Sequence, residues 1–240
     1  MARRSFPNGG NGTRRERQLN NLGIKSVLFD FDYTLADSSK GAIECVNHSL
    51  KEMGFAEAAP DDIRATIGMS LKKTFETLTG RTIISEAEQF ADLFALRADE
   101  CMLDNTFLLE MVKPSLARLL NEGLSLAIVT SKFHRRIVAF LKREGLSDAF
   151  AVIVGFDDVS APKPDPASLL LALERLGTIK RDAVYVGDST VDAEAASLAD
   201  VRFIAVLSGV TPREAFLPFE CYAVVKDMRE ASDLICRDHA

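Results

Sequence analysis

Two patterns of apolar and polar positions alternate along this chain. Short, nearly continuous apolar runs fall at residues 26–31, 124–130, 151–154, 183–187, 202–206 and 222–225. Runs this short, without polar alternation, are the pattern of strands buried on both faces of a parallel sheet. Between them, apolar residues recur at helical spacing near 134–144, 166–176, 191–199 and 228–236. A further helix starts near Pro114 and stops at Gly123. Leu169, Leu170, Leu173 and Leu176 mark one apolar helical face, closed by Gly177. Strand following helix following strand predicts an α/β fold. The expected form is a Rossmann-like, doubly wound parallel sheet with helices on both faces.

The segment 38–110 breaks this rhythm and reads as wholly helical. Ile43, Val46, Leu50 and Met53 keep helical spacing up to Gly54, and Leu71, Phe75 and Leu78 mark a second helix that Ser70 is placed to cap. Ser85-x-x-Glu88 is a capping-box pattern predicting a third helix to about residue 102. The expected organisation is an α/β core of residues 23–37 and 111–240, with an all-helical cap domain of residues 38–110 inserted after the first strand. Residues 1–22, rich in Arg, Asn and Gly with no apolar period, are expected to be a disordered basic tail. A transit peptide or a segment for an anionic partner are the other readings of that tail.

Charge sharpens the picture. The net charge is −6, although Arg3, Arg4, Arg14, Arg15, Arg17 and Lys25 crowd the start of the chain against Glu16. The remaining body is therefore strongly acidic, which argues against nucleic acid as a partner. No apolar stretch approaches the roughly 20 residues that cross a bilayer, and the N-terminus lacks the apolar centre of a secretory signal. Cys45, Cys101, Cys221 and Cys236 form no C-x-x-C pair, so reduced thiols and a cytoplasmic location are expected, with the chain a monomer or homodimer. His48 and His134 lack ligand-spaced partners and read as surface or cap residues; His239 reads as tail.

Four polar elements close predicted strands or occupy the loops beyond them. Asp30 and Asp32 end the first strand, where a spacing of two would send both carboxylates to one side. Thr130-Ser131-Lys132 closes the second. Lys163 lies in the loop Ala161-Pro162-Lys163-Pro164-Asp165-Pro166. Gly187-Asp188 and Asp192 follow the strand at 183–187. Singly, each has an ordinary explanation: a strand end, a solvated loop lysine, a helix N-cap at Asp188. Their common place at the carboxyl ends of strands, where ligands gather in such sheets, points to one site.

In this order, D-x-D-x-T-L, T-S, K-P and G-D-x-x-x-D resemble the haloacid dehalogenase superfamily of phosphohydrolases. The resemblance spans residues 26–236 and is closest to the phosphoglycolate phosphatase group. It implies a Mg²⁺-dependent phosphatase acting on a small phosphorylated metabolite through an aspartyl-phosphate. Asp30 would be the nucleophile and Asp32 the general acid and base, with Thr34 holding their loop. Thr130 and Ser131 would bind the phosphoryl oxygens, and Lys163 would supply a charge beside them. Asp30, Asp188 and the Asp32 carbonyl would hold the metal, and Asp192 would orient Lys163 or ligate through water. Asn47, Arg64, Gly68 and Lys72 are cap candidates for specificity, although a solvated helix face explains Arg64, Lys72 and Lys73 equally well. Tyr33 stands where related phosphatases often have glycine. Asp32 separates the chain from true dehalogenases, and Asp37-Ser-Ser-Lys-Gly41 disfavours mutase activity. Pyrophosphate or nucleotide hydrolysis, or a regulator that binds phosphate-bearing ligands without turnover, are the alternatives.

Overall fold

The computed structural model describes residues 23–239, so the expected disordered tail of residues 1–22 lies outside the described residues. The chain enters through β1 (Ser26–Phe29) and turns into a short strand β2 (Ala36–Asp37). It leaves for four helices, α1 (Ser39–Glu52), α2 (Pro60–Arg64), α3 (Leu71–Thr79) and α4 (Ile84–Cys101), and returns as β3 (Phe107–Leu108). After α5 (Val112–Asn121), strand and helix alternate: β4 (Ser125–Val129), α6 (His134–Glu144), β5 (Val152–Val154), α7 (Ala167–Leu176), β6 (Ala183–Gly187), α8 (Thr190–Ala199) and β7 (Arg202–Val206). β8 (Ala223–Val225) and α9 (Met228–His239) complete it.

Six strands pair in parallel in the order β5-β4-β1-β6-β7-β8. The period of two along each strand sorts their side chains into two cores. Val27 and Phe29 of β1 pack with Leu116, Phe140 and Ile235 from α5, α6 and α9. Leu28 points the other way, to Leu169 of α7 and Ala195 of α8. This is the expected doubly wound α/β arrangement. Leu170 departs from the face expected for it: it is 39% exposed while Leu169 is fully buried, because adjacent helical residues are about 100° apart around the axis.

The helical insert has its own core of Cys45, Leu50, Phe75, Phe90 and Phe94. Ser70 caps α3, its side chain accepting from the Lys73 N–H at 3.3 Å. The capping box expected at Ser85 does not form: α4 already begins at Ile84, which puts Ser85 inside the first turn, and no side chain caps it. The segment 38–110 is also not wholly helical, since Phe107–Leu108 pairs antiparallel with Ala36–Asp37. Two residues are too few to show a strand period in sequence. This ribbon brings the two connections of the insert side by side. Further ties run from α6 to α4 and beyond: Arg135 donates to both Asp99 oxygens at 2.9 and 2.7 Å, and Arg143 donates to the carbonyls of Leu103 and Thr106.

All four cysteines are free thiols. His239 is not tail: it ends α9, and its Nδ1 lies 2.6 Å from the Ile24 carbonyl. Among the described residues no helix is long and apolar enough to cross a membrane.

The site follows from strand order. β1 has β4 on one side and β6 on the other, so the chain leaves the sheet in opposite directions from neighbouring strands. The loops splay and open a crevice at the carboxyl ends. Phe29 is in register with Ile128 and with Val186, which sets Asp30, Thr130 and Asp188 within one or two residues of the same sheet edge.

Candidate active site

Lys163 is the centre of the arrangement. Its loop brings it over the edge of the sheet, where its side chain is buried. The ammonium donates to Asp30 Oδ1 at 2.7 Å, Asp192 Oδ1 at 2.6 Å and Tyr185 Oη at 3.0 Å. Burial works against the charged form, but the Asp192 and Asp30 carboxylates outweigh it and hold the Lys163 pKa above its ordinary value.

Asp192 sits at the start of α8, where Ser189 and Asp192 form a reciprocal cap. Ser189 Oγ accepts the Asp192 N–H, and Asp192 Oδ2 accepts from the Ser189 N–H at 3.2 Å and hydroxyl at 2.6 Å. Its Oδ1 accepts from Lys163 and, at 2.7 Å, from Tyr185. Burial opposes the charge here too, yet Lys163 and these hydrogen bonds hold the pKa of Asp192 below the usual carboxylate value. Gly187 makes this possible, since a Cβ there would stand 2.7 Å from Asp192 Cγ.

Asp30 and Asp188 are less well provided for. Burial raises the Asp30 pKa from 3.8 to about 7, with Asp192 and Asp32 adding to the rise and Lys163 opposing it. Burial, then Asp192 and Asp30, hold Asp188 well above its ordinary value. Among the described residues no N–H or O–H donates to the Asp188 carboxylate. Carboxylate oxygens of Asp30, Asp188 and Asp192 lie within 4.8 Å of one another, and the Lys163 ammonium pairs with two of them, Asp30 and Asp192. Buried charge of one sign calls for a counter-ion. Asp192 is fully engaged by its donors, so Asp30 and Asp188 are the free hard oxygen ligands, which suits Mg²⁺.

With a folded pKa of about 7 against 3.8 unfolded, Asp30 binds a proton more tightly in the folded state. Metal-free protein should therefore lose stability as pH rises from about 4 to about 7, and little more above that. Mg²⁺ should raise the melting temperature, and more at pH 8 than at pH 5.5. Thermal melts at both pH values, with Mg²⁺ and with a chelator, check this. A Mg²⁺ effect independent of pH would contradict it.

Gly209 approaches this carboxylate closely: a Cβ at that position would lie 1.9 Å from Asp188 Oδ2. Gly209→Ala must displace the carboxylate. We expect Mg²⁺ affinity, read by calorimetric titration, to fall about 10- to 100-fold, as when the supports of metal ligands are removed.

Asp32 makes different contacts from Asp30, yet stays near enough to add to the rise in the Asp30 pKa. Regular strand ends at Phe29, so alternation no longer governs the two positions. Asp32 lies outside the cluster of three carboxylates, accepting from Ser38 Oγ at 2.5 Å and pairing with Lys132 Nζ at 3.2 Å. It lines a cavity of about 510 Å³ between the sheet edge and the helical insert. Tyr33, between the aspartates and the turn, has φ +54°, the left-handed region that glycine adopts most readily. Thr34 is fully buried, but its hydroxyl has no hydrogen-bond partner, so the holding role expected of it is not carried by a hydrogen bond of that group.

Thr130 is buried at the end of β4 and accepts the Lys132 N–H at 3.1 Å, which leaves its own O–H to donate elsewhere. The Ser131 hydroxyl donates to the Gly68 carbonyl at 3.1 Å, a direct bond from the sheet edge to the insert. Gly68, at φ +96°, and Lys72 line the cavity. Asn47 and Arg64 do not. Asn47 clamps the Ala58 backbone, accepting its N–H at 2.9 Å and donating to its carbonyl at 3.3 Å. Arg64 pairs with Asp61 at 2.6 Å, one helical turn away.

Sequence reasoning assigned no role to Tyr185, Lys132, Ser38, Ser189 or Gly209. A tyrosine inside the otherwise aliphatic run of β6 was a usable signal, because a buried hydroxyl requires a partner. Gly209 lies in a loop far along the chain and gave none.

The haloacid dehalogenase-like hydrolase family matches residues 27–206. A phosphoglycolate phosphatase from Nitrosospira multiformis is 32% identical, over 89% of this chain and 96% of that protein. A pyrophosphatase from Bacillus pumilus is 29% identical, over 92% of this chain and all of its own length. Among solved structures, a haloacid dehalogenase-like hydrolase from Bacteroides fragilis matches with a TM-score of 0.85 and 38% identity, covering 87% of this chain and 99% of the other.

Proposed function

Because the chain belongs to the haloacid dehalogenase-like hydrolase family, we propose that it is a Mg²⁺-dependent phosphatase of a small phosphorylated metabolite. The observation that supports this most is the Lys163 ammonium bridging Asp30 and Asp192 beside Asp188. These groups come from distant parts of the chain.

Asp30 is the nucleophile of this reading. A carboxylate oxygen attacks phosphorus, the bond to the ester oxygen breaks, and an aspartyl-phosphate forms. Asp32, which enters this step protonated, gives its proton to the departing oxygen. Water then attacks phosphorus, passing a proton back to Asp32, and the bond to Asp30 breaks to release phosphate. Lys163 sets a fixed positive charge against the phosphoryl oxygens throughout, with Asp192 and Tyr185 holding it in place. The Thr130 hydroxyl and the Ser131 N–H donate to those oxygens. Asp30, Asp188 and the Asp32 carbonyl would hold Mg²⁺, which would supply charge neutralisation at the phosphoryl group. The insert excludes water while the phosphoryl group is exposed to attack.

Phosphoglycolate, named for the Nitrosospira relative, is the first metabolite to test. Pyrophosphate is the second reading, favoured by the Bacillus relative, which matches over its whole length. The experiment is phosphate release from an aryl phosphate by purified protein with Mg²⁺. Turnover is expected, and a chelator should abolish it. Turnover undiminished by the chelator would reject metal dependence.

A further inference from the structure

The cavity above Asp32 carries information about the leaving group. It encloses about 510 Å³, in the range of pockets that hold whole organic ligands. Its walls include Val46, Ile63 and Phe94 from the insert and Phe133 and Phe156 from the sheet side. The room exists because α4 presents alanine at 87, 91 and 95, four residues apart and so on one face.

Its cations are largely committed. Lys132 pairs with Asp32 at 3.2 Å. Arg136 donates to Asp99 at 2.8 Å and to the Ala95 carbonyl at 2.8 Å. Lys72 stands exposed at the rim, with the exposed carboxylates of Glu88 and Asp92 in the same lining. A second anionic group on the substrate would thus be desolvated against an apolar wall where, among the described residues, only the exposed Lys72 of the lining is not already paired, which is costly. An apolar body would be favoured there in proportion to the area it buries.

We propose that the ester's alcohol is uncharged and largely apolar, an arylalkyl or medium-chain alkyl group, rather than one carrying a carboxylate or a second phosphate. This inference rests on the phosphatase reading and narrows its substrate class. The phosphate sits at the sheet edge, and the alcohol carbon chain lies along the alanine face of α4.

The test compares kcat/KM for benzyl phosphate and hexyl phosphate with that for phosphoglycolate and pyrophosphate. All but pyrophosphate release alkyl-type alcohols. Benzyl and hexyl phosphate should lead phosphoglycolate by about 100-fold. Ala91→Leu, which narrows the cavity, should cut that lead about tenfold, and Ala91→Val should cut it less. Phosphoglycolate or pyrophosphate leading, or a lead that neither substitution alters, would overturn the inference while the phosphatase reading stands. Folded, Mg²⁺-supplied protein that releases phosphate from none of the four would overturn both.

Discussion

Replacing Asp30 by asparagine should remove phosphatase turnover, by about 10⁴-fold or more, and leave the fold intact. The first half follows from chemistry. An amide oxygen does not form a stable acyl phosphate, and loss of a covalent nucleophile leaves only what binding and electrostatics contribute. The second half follows from the site's electrostatics. Burial raises the Asp30 pKa to about 7, so its charge is costly to the metal-free protein at pH 8. Asparagine keeps the shape and an oxygen able to accept from Lys163, which donates at 2.7 Å in the native site. The melting temperature of the metal-free variant at pH 8 should therefore equal or exceed that of the native chain. Steady-state kinetics and a thermal melt on the same sample read both halves. Full activity would remove Asp30 from the nucleophile's role, and a large fall in stability would contradict the electrostatic account.

Lys163→Met should damage both activity and stability. Methionine fills similar volume but leaves the buried carboxylates of Asp30, Asp188 and Asp192 without their cation. Removing one partner of a buried ion pair costs about 3–5 kcal/mol. For a chain of this size that lowers the melting temperature by roughly 10 °C. The penalty should be larger at pH 8 than near pH 5.5, where Asp30 takes up a proton and part of the repulsion disappears. Mg²⁺ should restore some of the stability but not the turnover, because the charge facing the phosphoryl oxygens is gone. Equal destabilisation at both pH values would mean that Lys163 serves chiefly by packing.

Much of this site was legible in the sequence because its residues close strands. The apolar runs ending in Asp30, Thr130 and Gly187 marked the strands, and a parallel sheet gathers their carboxyl ends at one edge. The helices at 134–144 and 228–236 were visible for the same reason, a strong apolar period. What the sequence concealed depends on tertiary approach. Asp32 lines the cavity beyond the end of β1 at Phe29, and no pattern at 30–32 announces where the strand stops. Gly209 matters only because it comes beside Asp188. Asn47 lies on a helix that faces the cavity, yet its amide is taken up by the Ala58 backbone. The β2–β3 ribbon is two residues on each side, below the length at which alternation can be read.

The central claim is that Asp30 becomes covalently phosphorylated in a pocket completed by Asp32, Thr130, Lys163 and Asp188. Acid-quenching the enzyme during turnover of an aryl phosphate, followed by peptide mapping by mass spectrometry, tests this most directly. The account predicts one added phosphoryl group on the peptide containing Asp30, located at that side chain and absent from Asp30→Asn. A phosphoryl group on another residue, or continued turnover with Asp30 replaced, would contradict it.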